Sequence, residues 1–561
     1  MRVHHGALLA ALILSASAWA ADPVEAPRKK LIQVGWDMVD TAFLRKHFAE
    51  MEASGPFDGI LLWVKGRRAD GKAATPETGW DAAAWDRASF QGAIDDLKAC
   101  RFAKFTDNFI RFNCTPGTLA WDDDAGWKAL ADKAAILAWI CKETGVKGIC
   151  FDPESYGEKQ YEYRAAKGLS FAETAALARR RGAQVMRAIA AEHRSLTLMS
   201  FWLASLCMAA GRSENPDEVL ASDAYGLWPA FLNGLLDEAP PGMTLVDGNE
   251  NGYYVEGSQY HEMASHMRSL TGPALATVAP EHRAQYRAQT QIGFGFFLDM
   301  YINPEGNPHY RGPKSGGTRL DRLRENLAAA LDASDQYVWV YGEQCKWWPS
   351  FVFSDGTLKQ FMKGTGKGRA WEEALPGLSR TLAQVKAPLA TARSDVEALR
   401  SAGTLVNLAK NGDFAKKAGE LPAEFSTYQE TDAGSKGQLA WDAEGGGSAL
   451  IRNLKLGCFI QKHPAKPGET YFVEAVAKAK GVAVPTLMVR WQRADGAWTR
   501  WDRDVTLSFG SAGADGWRKA GGAVTVPDEV GLLVILLLGR STSAADSACG
   551  FDNLGLYRLG P

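Results

Sequence analysis

The strongest chemical signal in the chain is the run Gly148-Ile149-Cys150-Phe151-Asp152-Pro153-Glu154-Ser155-Tyr156, where an apolar segment leads straight into two carboxylates one residue apart. Like charges at that spacing cannot both ionise freely, so one should keep its proton toward neutral pH, as a general acid requires. Glu154 is the candidate acid/base and Asp152 its support. The competing reading is an Asp-Pro turn in which Asp152 caps the next helix. Four other apolar segments also end in acids: Asp37, Asp247 with Glu250, Asp299, and Glu343. Trp36, Trp63, Trp202, Trp347 and Trp348 accompany them, with Tyr156, Tyr253 and Tyr301 nearby. Flat rings pack on the apolar faces of pyranoses, while carboxylates accept from hydroxyls and supply acid and base for glycosidic cleavage. Taken singly, each acid is more readily a helix cap or a surface charge. Five segment ends together point to a sugar.

Among partners for Glu154, Glu343 stands first, because Tyr341-Gly342-Glu343 leaves an apolar run and Trp347-Trp348 follows at once as a candidate subsite floor. Glu250 and Asp299 come next. Separations of about 5 Å between the two carboxyls imply retention, and about 6.5–9.5 Å inversion. Two near-motifs fail. His261-Glu262-Met263-Ala264-Ser265-His266 has one residue too many for a zinc helix, since side chains five apart on a helix diverge by about 140°. Met199-Ser200-Phe201 lacks the glycines of a nucleophile elbow.

These acids need a scaffold that gathers them. Apolar runs at Leu31–Trp36, Phe57–Val64, Phe105–Asn113, Val146–Phe151, Leu196–Trp202, Thr244–Val246, Ile292–Leu298 and Tyr337–Tyr341 alternate with helical patterns. Eight strands each followed by a helix is the count of a (β/α)8 barrel, whose reactive groups sit at the carboxyl ends of the strands. The expected barrel spans 31–400, with a helical stretch near 369–400 as its last outer layer and a linker at 401–404. From 405 to 561 the pattern turns to short β segments with Gly, Asp and Pro between them, an all-β sandwich.

The 561 residues carry 63 basic and 65 acidic side chains, a balance with no surplus to hold nucleic-acid phosphates. The one tri-basic run, Arg179-Arg180-Arg181, reads as a solvated helix face. Arg2, the apolar stretch Ala7–Ala16 and Ala18-Trp19-Ala20 read as a signal peptide over 1–20, implying a periplasmic or extracellular protein without membrane insertion. Eight cysteines without a C-x-x-C pattern read as packing residues. No protein partner is evident, and catalysis calls for no cofactor.

On the strength of Asp152-x-Glu154 after the fourth strand, the chain resembles secreted (β/α)8 glycoside hydrolases, in several of which a catalytic glutamate ends strand 4. It is similar to the last half of the D-x-x-D-x-D-x-E signature of chitinase-type hydrolases, with Lys147 and Cys150 in place of the earlier aspartates. In retaining enzymes with acid and nucleophile on strands 4 and 7, the second position would fall at Asp299. The resemblance implies a two-carboxylate hydrolase of a polysaccharide or oligosaccharide. A non-catalytic glycan-binding surface protein is the alternative, as is a uronate lyase using Arg111 or Arg311.

The C-terminal segment resembles the jelly-roll carbohydrate-binding modules of families 4 and 9. The resemblance rests on Asn407-Leu408-Ala409-Lys410-Asn411-Gly412-Asp413-Phe414, the turn Pro467-Gly468-Glu469-Thr470-Tyr471, and Gly550-Phe551-Asp552-Asn553-Leu554-Gly555-Leu556. It implies a module that binds glycan or braces the barrel, with a structural calcium at Asp413 and Asp552. Trp498 and Trp501 are the stacking candidates, and Trp491 alternates into the core.

Overall fold

The computed structural model describes residues 29–560 apart from 69, 166–167, 315–316, 355–367, 431–436, 444–445 and 541–545. The expected signal segment lies outside the described residues. Two compact units divide between Lys386 and Ala387. Among the described residues no helix is long and apolar enough to cross a membrane.

The first unit is built on parallel strands: β1 Lys30–Gly35, β2 Gly59–Trp63, β3 Phe109–Asn113, β4 Gly148–Asp152, β5 Thr197–Ser200, β6 Thr244–Asp247, β7 Thr290–Ile292, β8 Phe294–Phe297 and β9 Tyr337–Gly342. Their spatial order is β7-β6-β5-β4-β3-β2-β1-β9-β8. The two ends of this path, β7 and β8, are consecutive pieces of one segment interrupted at Gly293, so the sheet nearly closes on itself. Burial on both faces explains why the strands read as continuous apolar runs such as Ile60-Leu61-Leu62 rather than as alternating ones.

Helices fill the connections, and local chemistry sets their ends. Asp123 caps Asp124–Thr144 by accepting from Gly126 N at 2.9 Å, and Gly145 closes it with φ 74°. Ser170 and Glu173 form a capping box on Phe171–Glu192. That helix meets Trp228–Glu238 backbone to backbone: a Cβ on Gly182 would lie 2.0 Å from Phe231 O, and one on Gly234 1.9 Å from Arg179 O. The tri-basic run on this helix is not a free basic face. Arg179 pairs with Asp237 and Glu281, while Arg180 and Arg181 both reach Asp124.

The second unit contains two five-stranded antiparallel sheets. One is formed by Ser426–Glu430, Leu456–Pro464, Leu532–Arg540, Val484–Gln492 and Val505–Leu507, the other by Gln438–Asp442, Ser448–Arg452, Ala548–Gly560, Thr470–Lys480 and Arg518–Thr525. Their inward residues, including Trp491, share one core. Two expectations change here. Helix Pro388–Ser401, expected as an outer barrel helix, buries Ala392 and Val396 against Phe472 of the sandwich. The segment 407–414, expected as the entry strand of the resembled module, is not a strand. It is tied to the last strand by Leu408 N on Leu556 O at 2.8 Å and by the Asn407 amide, which donates to Leu554 O and accepts from Leu556 N. All eight cysteines are buried and unpaired.

Candidate active site

At the carboxyl ends of the strands lies a cavity of about 900 Å³. Its walls carry Glu154, Glu250, Glu343 and Glu77, with Arg111, Asn113, His309 and the rings of Trp36, Trp63, Trp339, Tyr156, Tyr253, Tyr254 and Tyr341. Three of the sequence-derived acids therefore converge.

Glu154 is held by its neighbours on β3 and β4. Asp152 is buried. Its Oδ2 accepts from Asn113 Nδ2 at 2.8 Å and from Arg111 Nε at 3.1 Å, with Arg111 Nη2 closer still. Its Oδ1 accepts from the Glu154 amide at 3.1 Å. Asn113 Nδ2 also donates to Glu154 O at 2.9 Å, so one amide side chain staples the strand end to the turn. Tyr156 hydroxyl donates to Glu154 Oε2 at 2.7 Å. Burial and then the Asp152 charge raise the Glu154 pKa, against the Tyr156 hydrogen bond and Arg111. Asp152 thus holds the Asp-Pro turn by accepting from the Glu154 amide, and it caps no helix, since the next α-helix among the described residues begins at Phe171.

Glu250 arrives on a short 3₁₀ turn, Glu250–Tyr254, after β6. The preceding Asn249 is fully buried with φ 21°, a backbone region that non-glycine residues seldom occupy. Such a conformation persists only where surrounding contacts impose it. Here Trp339 Nε1 donates to Gly248 O at 2.7 Å, and Gly295 N donates to Asn249 O at 3.3 Å. Burial, followed by the charges of Glu154 and Asp152, lifts the Glu250 pKa well above the carboxylate range. Glu343 contributes less to that shift than Glu154 does, so Glu154 is the carboxylate whose charge Glu250 feels most. Glu343 Oε1 accepts from the Tyr341 hydroxyl at 3.0 Å, and the Tyr341 hydroxyl oxygen accepts from Trp36 Nε1 at 2.8 Å.

Three expected acids do not reach the cavity. Asp37, Asp247 and Asp299 are buried at strand ends and hold loops. Asp37 accepts from Trp347 N at 2.6 Å and Gln33 Nε2 at 2.7 Å. Asp299 accepts from the amides of Glu343 and Gln344 at 2.8 and 3.0 Å. Asp247 accepts from the amides of Leu203 and Ser205, from Ser205 Oγ and from Tyr286 hydroxyl. Burial raises all three pKa values, those of Asp37 and Asp299 to about 7. Asp299 thus positions Glu343.

Among the rings, Trp36 and Trp63 line the cavity, and the Arg111 guanidinium lies 5.3 Å from the Trp63 ring centroid. Trp347 and Trp348 are core residues, 6% and 0% exposed and packed edge-on against Phe57, so they form no subsite floor. Trp202 and Tyr301 are also buried away from the cavity lining. Arg311 pairs with Glu256 and donates to Tyr253 O, which makes it a loop brace.

Asn113, Glu77, Tyr254, Trp339 and His309 also line the cavity, and no local sequence pattern marks them. Arg111 and Asn113 fall two residues apart on β3, the period that puts both on one face.

In the second unit Trp498 and Trp501 are 43% and 80% exposed, with Arg490 stacked 4.3 Å from the Trp498 ring centroid. Burial raises the Asp552 pKa, and the charge of Asp413 adds to it, so the two acids are neighbours. Asp413 also accepts from the Ala415 amide, and Asp552 from the Asn553 amide. The described residues bring no third His, Cys, Asp or Glu to them. A calcium there would rely on carbonyl oxygens for most of its shell, which its chemistry allows.

No protein-family model matches the sequence, and no curated protein does. Among solved structures, the enzymatically active domain of tailspike protein 4 from bacteriophage CBA120 aligns at 13% identity and TM-score 0.22 over 27% of this chain and 21% of its own. The chain thus spans about a fifth of that domain. A CBM4 structure aligns at 21% identity and TM-score 0.20 over 27% of this chain and 98% of its own. The CBM22-1–GH10 modules of Clostridium thermocellum endo-1,4-beta-D-xylanase 10B align at 11% identity and TM-score 0.20 over 28% of each chain. Carbohydrate-binding modules and a glycoside hydrolase are therefore among the chain's structural neighbours, as partial likenesses that assign it to no family.

Proposed function

We propose that the chain is an exported glycoside hydrolase, with a (β/α)8 catalytic barrel and a C-terminal jelly roll that carries a glycan-binding surface at Trp498 and Trp501 and a calcium beside Asp413 and Asp552. The observation that carries this reading is the convergence of Glu154 and Glu250 on one aromatic-walled cavity with their charges coupled. Two carboxyls that feel each other's charge do not both ionise freely, so one keeps its proton to higher pH than the other. Glu250, raised well above the carboxylate range by burial and by the charges of Glu154 and Asp152, is the better holder of that proton. Glu154, beside Arg111 and hydrogen-bonded by Tyr156, is the better anion. Glu250 therefore protonates the leaving glycosidic oxygen, and Glu154 acts as nucleophile or water-activating base. This reverses the acid role that the sequence suggested for Glu154. Tyr253, stacked on Tyr341 at 5.8 Å, and Trp36 supply flat faces for the sugar rings.

The test is reducing-end release from a panel of polysaccharides by the full chain and by Glu154→Gln and Glu250→Gln. Loss of about 10³-fold or more in either variant, with folding intact, is expected for groups acting in the transition state. Undiminished release by both variants would sink the assignment.

A further inference from the structure

The lining of the cavity is rich in acids and poor in bases. Four carboxyl groups (Glu77, Glu154, Glu250 and Glu343) line it, and the only Lys or Arg among its described lining residues is Arg111. The Arg111 guanidinium is already matched: Asp152 behind it takes both Nε and Nη2. Even with one proton retained on the Glu154–Glu250 pair, acidic groups remain without a balancing cation in the wall. The aromatic rings add to this, because the faces of Trp and Tyr attract a cation positioned over them. Trp36, Trp63, Trp339, Tyr253 and Tyr341 all present rings around the same space.

We propose that this site selects a glycan bearing free amino groups, an N-unsubstituted hexosamine oligomer, over neutral and anionic glycans. The inference rests on the hydrolase reading and narrows its substrate class. An ammonium carries three donors and one positive charge, which carboxylates with their acceptor lone pairs satisfy directly. A uronate or sulfated sugar would place a second anion among the glutamates, and Arg111 is not free to neutralise it. The same charge argument disfavours a uronate lyase at this cavity. Glu343, half-buried and anchored through Asp299 and Tyr341, is the residue best placed to hold an ammonium without taking part in bond cleavage.

The experiment separates binding from hydrolysis. Titration calorimetry on the full-length Glu154→Gln variant, at a pH where the amines are protonated, would use three ligands of equal length. These are a free-amine glucosamine oligomer, its fully N-acetylated counterpart, and an oligogalacturonate. The free-amine oligomer should bind about tenfold more tightly than the N-acetylated one, with the preference shrinking at high salt and in the Glu154→Gln/Glu343→Gln double variant. Equal or tighter binding of the N-acetylated or uronate oligomer would overturn the proposal and leave the hydrolase reading standing. Wild-type hydrolysis of a neutral glycan with no advantage for the amine form would do the same. Failure of all three to bind, together with no glycan cleaved by the wild type, would overturn both.

Discussion

Arg111 and Asp152, side by side on β3 and β4, form an ion pair directly beneath the Glu154 turn, with Asp152 wholly buried and Asn113 completing its hydrogen bonds. The acid that the sequence places in support of Glu154 is thereby committed to the scaffold. Removing its charge strands the Arg111 cation. We expect Asp152→Asn to lose about 3 kcal/mol of stability in urea or guanidinium unfolding, the usual cost of breaking such a pair from one side. The variant should also lower the Glu154 pKa, since a like charge disappears. A stability within about 0.5 kcal/mol of wild type would contradict the role assigned to this pair.

Tyr156 is 69% exposed, yet its hydroxyl donates to Glu154. Tyr156→Phe deletes one hydrogen bond to a carboxylate and nothing from the core. Unfolding free energy should hold within about 0.5 kcal/mol. Because that bond lowers the Glu154 pKa, its loss raises it, and the acidic limb of the pH–rate profile should move to higher pH. An unmoved limb would show that Glu154 does not act as the carboxylate.

Asp37 and Asp299 have pKa values of about 7 in the folded protein, against 3.8 for an ordinary aspartate. Between those limits the folded state binds more protons than the unfolded state, so their contribution is present below about pH 4 and is lost as pH rises toward 7. Stability measured by denaturant midpoint across this window should fall with pH more gently in Asp37→Asn than in wild type. An unchanged slope would count against the raised pKa.

Trp348 and Trp501 should separate packing from binding. Trp348→Ala empties a fully buried site and is expected to cost about 3–5 kcal/mol. Trp501→Ala, at an 80% exposed position, should leave stability unchanged and weaken retardation of the full chain in glycan-containing native gels. Unaltered migration of the Trp501 variant on every glycan that retards the wild type would remove Trp501 from the binding surface.

The alternation of apolar runs and amphipathic stretches determined a parallel strand–helix unit followed by a β unit, because burial on both faces of a strand and on one stripe of a helix writes itself into local composition. It also marked Glu154, whose turn is built by residues adjacent in sequence or on the next strand. It could not sort the strand-end acids. Asp37, Asp247 and Asp299 look from sequence like Glu250 and Glu343, but they face loop amides contributed by residues 347, 203–205 and 343–344. Those donors lie tens to hundreds of positions away, and only the closure of the sheet brings them near. The same holds for Trp347 and Trp348, which Phe57 and the Asp37 loop draw into the core. Whether a carboxylate ends as a loop clamp or as a cavity wall depends on which backbone N–H groups meet it, and that is settled by packing between distant segments rather than by anything local to the acid.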